Sequence, residues 1–160
     1  MAELEIAPAD PADAGEILTL QRAAYVTEAQ LYGEPALPPL TETLDELRVA
    51  LGNGLMLTAR LPARPRVVGA VRARLDGDTC AIGRLVVAPD QQGRGIRTAL
   101  LAEVERRYAD RAAAFALFTG HRSEANLRLY RRLGYLEVDR RPLGPGVLEV
   151  HLVKPVPSTS

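Results

Sequence analysis

The fold is decided by residues 85–101, which read LVVAPDQQGRGIRTALL. An apolar, β-branched run ends at Pro89, two glycines follow, and the later apolar residues recur at the spacing of one helix face. The pattern predicts a strand, a glycine-rich turn and the start of a helix. The first N–H groups of a helix lack intrahelical partners and lie at the positive end of its dipole. The turn is therefore a candidate phosphate site, although an ordinary tight connection has a similar composition.

Spacing excludes two well-known phosphate loops. A P-loop requires Lys followed by Ser or Thr directly after its last glycine, whereas Gly95 is followed by Ile96 and Arg97. The dinucleotide fingerprint requires three glycines in an early βαβ unit, with an acidic residue about 20 positions further on. The turn in this chain has only two glycines, Gly93 and Gly95, and they lie past the midpoint of the sequence. A different kind of phosphate loop has to be considered.

The run Gln92-Gly93-Arg94-Gly95-Ile96 resembles the acyl-CoA loop of the GNAT acetyltransferase superfamily, Gln/Arg-x-x-Gly-x-Gly/Ala. Residues 87–90, VAPD, resemble its usual lead-in. Arg97 departs from the pattern, because the family has Gly or Ala there. Since Ala is allowed, backbone conformation does not forbid a side chain at this position. The Arg97 side chain must then point away from a bound pyrophosphate or wrap around a phosphate, a role that suits arginine.

A second informative stretch covers residues 119–135, which read TGHRSEANLRLYRRLGY. Asn126 and Tyr130 are four residues apart on a predicted helix, so their side chains share one face. Alone, such an Asn is usually a cap and such a Tyr is usually packing. Together with Gly134 and Tyr135 they resemble the GNAT signature Asn-x-x-x-Leu/Phe-Tyr-x-x-x-Gly-Phe/Tyr, apart from a spacing detail that varies between members. On both motifs, the chain is identified as a member of this superfamily.

Composition limits the functional classes. The chain has 160 residues, 47% hydrophobic and 25% charged, which predicts one soluble globular domain. Its net charge of zero argues against general binding to nucleic acid or to a membrane surface. The single cysteine, Cys80, excludes an intrachain disulfide. With no leader pattern and no apolar run of transmembrane length, a cytoplasmic location is expected. Two histidines and one cysteine make a metal site improbable.

Periodicity and turn signals predict alternating strands and helices. One domain is expected over residues 1–154, followed by a loose tail over 155–160, and residues 31–40 are expected to form a loop. The predicted strands cover 4–7, 55–61, 67–75, 79–87, 114–118, 135–138 and 146–153. The predicted helices begin at an Asp10 cap with Pro11 and Asp13, at a Thr43–Glu46 capping box with a stop at Gly52, at Ile96, and at a Ser123 cap with an end at Gly134.

This order predicts an α/β (α+β layered) domain with a mixed central sheet of about seven strands and helices on both faces. It is also the order of GNAT proteins. The resemblance implies that the strands at 85–87 and 115–118 splay apart, often at a bulge, and that the pantetheine arm of acetyl-CoA lies between them. The implied cofactor-binding residues are Leu85, Val86, Val87, Gln92, Gly93, Arg94, Gly95, Ile96, Arg97, Thr98, Asn126 and Tyr130, with the pyrophosphate on the amides from Gly93 to Thr98.

The implied reaction is transfer of an acetyl group to a primary amine by direct attack. A backbone N–H near Val87 would stabilise the oxyanion, and Tyr130 would protonate the departing thiolate. The alternative is a non-catalytic acyl-CoA-binding or sensing module. Arg97 favours that alternative, as does Ala81, which lies near the place where some relatives carry a glutamate. Asn126 and Tyr130 argue against it.

The base and the acceptor remain open at this stage. Other relatives carry a Glu where this chain has Thr119-Gly120-His121, so the candidate bases are Glu28, Glu34, His121 or a water chain to backbone carbonyls. In this superfamily the first two helices and their loop build the acceptor site. Here that implies Tyr25, Glu28, Tyr32 and Glu34, facing Tyr135 and residues 142–146. A small amine, an amino acid or antibiotic, or a peptide N-terminus could be the acceptor, and a homodimer is compatible with the resemblance.

Overall fold

The computed structural model describes residues 4–157, which are organised around one seven-stranded sheet in the order β1-β2-β3-β4-β5-β7-β6. The strands are β1 Glu5–Pro8, β2 Leu55–Leu61, β3 Arg64–Asp76, β4 Thr79–Val87, β5 Ala114–Gly120, β6 Leu136–Gly144 and β7 Val147–Pro155. The helices are α1 Ala14–Tyr32, α2 Pro38–Thr41, α3 Leu44–Leu51, α4 Ile96–Tyr108 and α5 Glu124–Arg132. Short 3₁₀ turns cover Pro11–Asp13 and Pro89–Gln91.

Helices cover both faces of this sheet, as the sequence predicts. On one face, α4 and α5 pack on the larger core cluster, which includes Leu57, Val68, Leu100, Val104 and Leu152. On the other face, α1 and α3 pack on a second cluster, which includes Ile17, Leu47, Met56, Val67 and Val86. The strand pairs are antiparallel except for the parallel pair of β4 with β5. The predicted mixed sheet is therefore confirmed.

The parallel pair separates almost as soon as it forms. Its register covers only Thr79–Ala81 of β4 against Ala114–Ala116 of β5. Both strands continue beyond this point, β4 to Val87 and β5 to Gly120. Peptide groups on this side of β4 consequently face an opening instead of a neighbouring strand. The predicted splay between these strands is confirmed.

A β-bulge in β4 lies beside this opening. Arg72 pairs with Gly83 and Ala70 pairs with Val86, so two residues of β4, Arg84 and Leu85, oppose the one residue between them on β3. Arg84 has φ 49°, in the left-handed region that a residue with a Cβ rarely adopts. The bulge changes which face of the sheet successive side chains of β4 occupy. Ile82 and Val87 are five positions apart, which in a regular strand places them on opposite faces, but both pack into the larger core.

The predicted caps at Asp10 and Thr43 are present in the structure. Asp10 accepts from the Ala12 N–H at 2.9 Å, and Asp13 accepts from the Asp10 N–H at 3.0 Å, although the capped turn is 3₁₀ before α1 begins. Thr43 and Glu46 form the expected reciprocal capping box at α3. Helix α3 ends before Gly52, whose φ of −86° does not use the conformational freedom of glycine.

Several boundaries differ from prediction. Residues 31–40 are not simply a loop, because α1 continues to Tyr32 and Pro38 opens the short helix α2, where a proline ring needs no N–H. Strand β3 begins at Arg64, before its predicted start at residue 67, and therefore includes Pro65. Strand β6 continues through Pro142 to Gly144, since an edge strand tolerates proline. The predicted tail is ordered at its start: Pro155 belongs to β7 and the Val156 N–H donates to Ala113 O. Residues 158–160 lie outside the described residues.

Candidate active site

A cavity of about 250 Å³ lies where β4 and β5 separate. This volume can hold groups of a small molecule. Helix α1 and the start of α2 close it on one side, and α5 closes it on the other. Ten of the residues predicted for the site line it: Tyr25, Glu28, Tyr32, Leu85, Val86, Val87, Gln92, Arg97, Asn126 and Tyr130. The topology therefore brings the predicted acceptor, acyl and acid positions into one space.

A second cleft of about 210 Å³ lies at the N-terminus of α4. Gly93, Gly95, Ile96, Arg97 and Thr98 line it, and Gln92 and Arg97 line both spaces. Gly93 and Gly95 have φ values of 77° and 75°, a backbone that glycine adopts without strain. The amides of the first helical turn have no intrahelical partner, so this cleft offers N–H donors to an anion.

Two features of this cleft were not part of the sequence prediction. Arg132, from the end of α5, lines it and adds a second guanidinium beside Arg97. The Gln92 amide donates to Val87 O at 3.1 Å, so this side chain holds the loop against the end of β4. Arg94, one of the predicted cofactor residues, is exposed and lines neither space.

Arg97 points toward α5 and donates a hydrogen bond from Nη1 to Oδ1 of Asn126. The Asn126 amide group in turn donates to Thr119 Oγ1 at 3.2 Å. The sequence allowed the Arg97 side chain either to point away from a bound pyrophosphate or to wrap around a phosphate. In the structure the side chain is turned into the space between α4 and α5. It lies at the junction of the two cavities.

Tyr130 lies one helical turn after Asn126 and its side chain is buried, with its ring edge-on to Tyr135 at a centroid distance of 6.1 Å. Burial is the main cause that raises the pKa of Tyr130 well above the ordinary value of 10.0, and neighbouring Tyr25 adds to it, whereas Arg97 opposes it. A phenol in this environment stays protonated at neutral pH. It can donate a proton to a group formed in the cavity.

Helix α1 presents Tyr25, Glu28 and Tyr32 to the cavity, at a spacing that keeps them on one helix face. The Ser123 hydroxyl donates to Glu28 Oε2 at 2.6 Å, and the Arg122 N–H donates to the Tyr32 hydroxyl at 2.8 Å. Since Ser123 has one proton and donates it to Glu28, the 3.0 Å contact between Tyr32 and Ser123 requires Tyr32 to donate. A directed chain of hydrogen bonds thus ends at Glu28.

The hydrogen bonds from Tyr32 through Ser123 to Glu28 explain why Ser123 does not cap α5 as predicted. Ser123 occupies the N-cap position, but its hydroxyl makes no capping hydrogen bond and contacts α1 instead. Sequence reasoning treated Ser123 as a local signal, and its partner Glu28 lies 95 positions away. No local pattern in the sequence indicates this pairing.

Two other predicted candidates are not directed into the cavity. Glu34 is absent from its lining, and its carboxylate accepts from the nearby Ala36 N–H at 2.9 Å. His121 Nδ1 accepts from the Leu148 N–H at 3.0 Å, so that nitrogen is engaged by the backbone of β7. Among the candidate bases considered from the sequence, Glu28 is the side chain that reaches the cavity.

Family comparison agrees with this geometry. The model of the acetyltransferase (GNAT) family matches residues 20–135. The chain belongs to this GNAT family. Membership makes the protein an acyl-CoA-dependent N-acetyltransferase, whose acceptor the family leaves unspecified. No functionally curated protein matches the chain significantly.

Solved GNAT structures share this fold over almost the entire chain. The Escherichia coli ribosomal-protein-S18-alanine N-acetyltransferase has a TM-score of 0.80 at 18% identity, covering 99% of this chain and 97% of its own. PaiA N-acetyltransferase from Thermoplasma acidophilum, solved with coenzyme A, has a TM-score of 0.80 at 15% identity, covering 96% and 99%. YncA from Salmonella typhimurium, solved with acetyl-CoA, has a TM-score of 0.74 at 17% identity, covering 99% and 97%. At these identities the likeness shows the fold alone.

Two kinds of feature are absent from residues 4–157. No helix in this range is long and apolar enough to cross a membrane. The same residues contain no group of three or more His, Cys, Asp or Glu side chains arranged to hold a metal ion.

Proposed function

We propose that this GNAT enzyme transfers the acetyl group of acetyl-CoA to a primary amine by direct attack, with Tyr130 as the acid. One observation carries the proposal: Tyr130 shares a single cavity with Glu28 and with the end of β4. An acid, a carboxylate and unpaired strand peptides thus face the same space. The acid can protonate the leaving thiolate, and the carboxylate can accept a proton from the attacking amine. The strand N–H groups can stabilise the oxyanion.

Acetyl-CoA would enter along the two connected cavities. Its pyrophosphate fits the second cleft, where the amides of the first turn of α4 and the guanidinium groups of Arg97 and Arg132 converge. Its pantetheine arm fits the opening between β4 and β5, where the peptides of β4 have no neighbouring strand. We assign Asn126, which lines the first cavity, to the end of that arm.

Glu28 is our candidate for the group that receives the amine. Its carboxylate is held by Ser123 and faces the cavity, so it attracts a substrate ammonium and takes a proton from it. The neutral amine nitrogen attacks the thioester carbonyl carbon, and a backbone N–H near Val87 stabilises the oxyanion. Collapse breaks the C–S bond, and the Tyr130 hydroxyl gives its proton to the sulfur. The nitrogen of the new amide gives its second proton to the Tyr130 phenolate, and Glu28 releases its proton to solvent, which completes the cycle.

The alternative, a module that binds acyl-CoA without catalysis, has Arg97 as its main support. The Arg97–Asn126 hydrogen bond occupies a residue that the transferase would use for its cofactor. A buried tyrosine in the acid position and a carboxylate held toward the same cavity favour catalysis, since binding alone requires neither. Thiol release therefore distinguishes the two functions.

The test measures CoA thiol release from acetyl-CoA with a panel of primary amines, beside calorimetric titration with acetyl-CoA and with AMP and NAD as controls. We expect acetyl-CoA to bind, neither control to bind, and thiol release to depend on an amine. Tyr130→Phe should lower kcat and keep acetyl-CoA binding. Tyr108→Phe is the matched control, because this tyrosine is buried on α4 with its hydroxyl 3.5 Å from Ala73 O, away from the cavity. Acetyl-CoA binding without release by any amine would support the binding module.

A further inference from the structure

Arg84 is a charged residue of the cavity lining that the sequence motifs do not indicate. It is the residue of the β4 bulge with φ 49°, and it lines the same cavity as Glu28 and Tyr130. An uninterrupted strand would turn position 84 to the same face as Ile82, which packs in the larger core. The bulge instead directs the guanidinium to the side of α1 and α2, near Glu42. A strained backbone that re-aims a charged side chain is characteristic of functional sites.

The charge on Arg84 is only loosely paired. Its Nη2 lies 3.8 Å from Glu42 Oε2, beyond hydrogen-bond distance, and its buried Nε has no hydrogen-bond partner in the described part of the chain. Glu42 is already engaged, since Arg72 donates to both of its carboxylate oxygens and Gln21 donates to Oε1 at 3.1 Å. Two guanidinium groups thus share one carboxylate, which leaves positive charge in the cavity wall.

Glu28 supplies the opposite charge in this cavity. Its carboxylate accepts from Ser123 and is not paired with a cation by any ion pair seen between described residues. Tyr25 lies near both groups: burial is the main cause that raises its pKa, while the nearby Arg84 charge lowers it and the Glu28 charge raises it. Two further charged residues line the cavity, but Arg97 is bound to Asn126 and Glu149 Oε1 lies 3.1 Å from His151 Nε2. Arg84 and Glu28 are therefore the cation and the anion with spare capacity for a ligand.

We propose that the acceptor is a small amine that carries a carboxylate, such as a free amino acid, with its carboxylate on Arg84 and its ammonium on Glu28. This inference rests on the proposed acetyl transfer to an amine. A guanidinium forms charge-assisted hydrogen bonds to a carboxylate, and Nη2 of Arg84 can exchange its 3.8 Å contact with Glu42 Oε2 for such a bond to the substrate. A peptide N-terminus has no carboxylate close to its amine and offers Arg84 no such partner.

The test compares L-amino acids with their own carboxamides, for example L-methionine with L-methioninamide, in the thiol-release assay. The two members of each pair share the amine and side chain and differ in the negative charge. We expect kcat/KM of the enzyme for acids to exceed that for amides by at least roughly tenfold, as a charged hydrogen bond supplies. Arg84→Asn should abolish the preference, and asparagine is chosen because it tolerates a left-handed backbone. Arg74→Gln is the matched control, because Arg74 is exposed on β3 and does not line the cavity.

A second measurement does not require turnover. Calorimetry with CoA present compares N-acetyl-L-methionine with N-acetyl-L-methioninamide, and we expect tighter binding of the carboxylate in wild type and equal binding in Arg84→Asn. Equal rates with acids and amides, together with equal binding of the two products by wild type, would overturn the role of Arg84. Binding of neither product would overturn it as well. Amine-dependent thiol release would still uphold the transferase in both cases. Conversely, absence of thiol release with every amine would refute the transferase, and the product titration would still decide whether Arg84 holds a carboxylate.

Discussion

Arg97 and Asn126 are joined by a hydrogen bond across the space between α4 and α5, where the two cavities meet. The guanidinium stands where the GNAT loop has a residue without a long side chain. It thereby adds a positive charge between the cleft at the N-terminus of α4 and the cavity where β4 and β5 separate. The binding mode proposed above for acetyl-CoA requires Arg97 to exchange its contact with Asn126 for contacts with the cofactor.

We predict that Arg97 strengthens cofactor binding, because a phosphate is a better partner for guanidinium than a neutral amide. Arg97→Ala should raise the Kd for acetyl-CoA by roughly tenfold, the loss of one charged hydrogen bond, and weaken its dependence on salt. Calorimetric titration at two salt concentrations measures both. Arg128→Ala is the control, since Arg128 is exposed on α5. Tighter binding by Arg97→Ala would instead show that Arg97 closes the site.

Gly120→Ala should disturb the hydrogen bonds that lead to Glu28. A Cβ at position 120 would lie 2.0 Å from the Tyr32 hydroxyl, so Tyr32 has to move away from Ser123. We expect kcat/KM for the amine to fall by roughly ten- to hundredfold, while the Kd for acetyl-CoA changes little.

The matched control for this variant is Gly144→Ala, where an added Cβ meets no atom within 4 Å. Circular dichroism and thermal unfolding show whether both variants retain the fold. Unchanged amine kinetics in a folded Gly120→Ala protein would count against any role for the Tyr32–Ser123–Glu28 chain.

The pH profile provides a test of Tyr130 as the acid. Burial raises the pKa of its hydroxyl above 10.0, and an acid is active in its protonated form, which persists below its pKa. Activity should therefore show no loss from Tyr130 ionisation on the alkaline side up to pH 10, provided that the fold survives. Tyr130→Phe should lower kcat at every pH in this range by a similar factor. A loss of activity near pH 8 that disappears in Tyr130→Phe would contradict this assignment.

Cys80 should be unreactive in the folded protein. Burial in the larger core raises the pKa of the thiol to about 11, although Arg111 opposes the shift. At pH 8 only about one thiol in a thousand is then ionised, and the thiolate is the reactive form. Iodoacetamide followed by mass spectrometry should label Cys80 slowly in buffer and rapidly in denaturant. Equal labelling rates in the two conditions would show that this part of the core opens readily.

Much of the site could be predicted from residues close together in the chain. The conformation at Gly93 and Gly95, the start of α4 and the shared face of Asn126 and Tyr130 follow from turn chemistry and from the helix repeat. Predictions were less accurate where a boundary depends on distant contacts. Helix α1 reaches Tyr32, whose hydroxyl is bound by Arg122 and Ser123 about ninety positions away.

By itself the sequence determined the family, the order of the strands and longer helices, and the glycine-rich turn before α4, because these depend on local spacing and local backbone preferences. Only the tertiary structure decided which charges share the cavity. It turned Arg97 toward Asn126, brought Ser123 to Glu28, and used the β4 bulge to direct Arg84 away from the core. Each of these contacts joins groups far apart in the chain or depends on strand register. Local periodicity in the sequence indicates neither long-range contacts nor strand register.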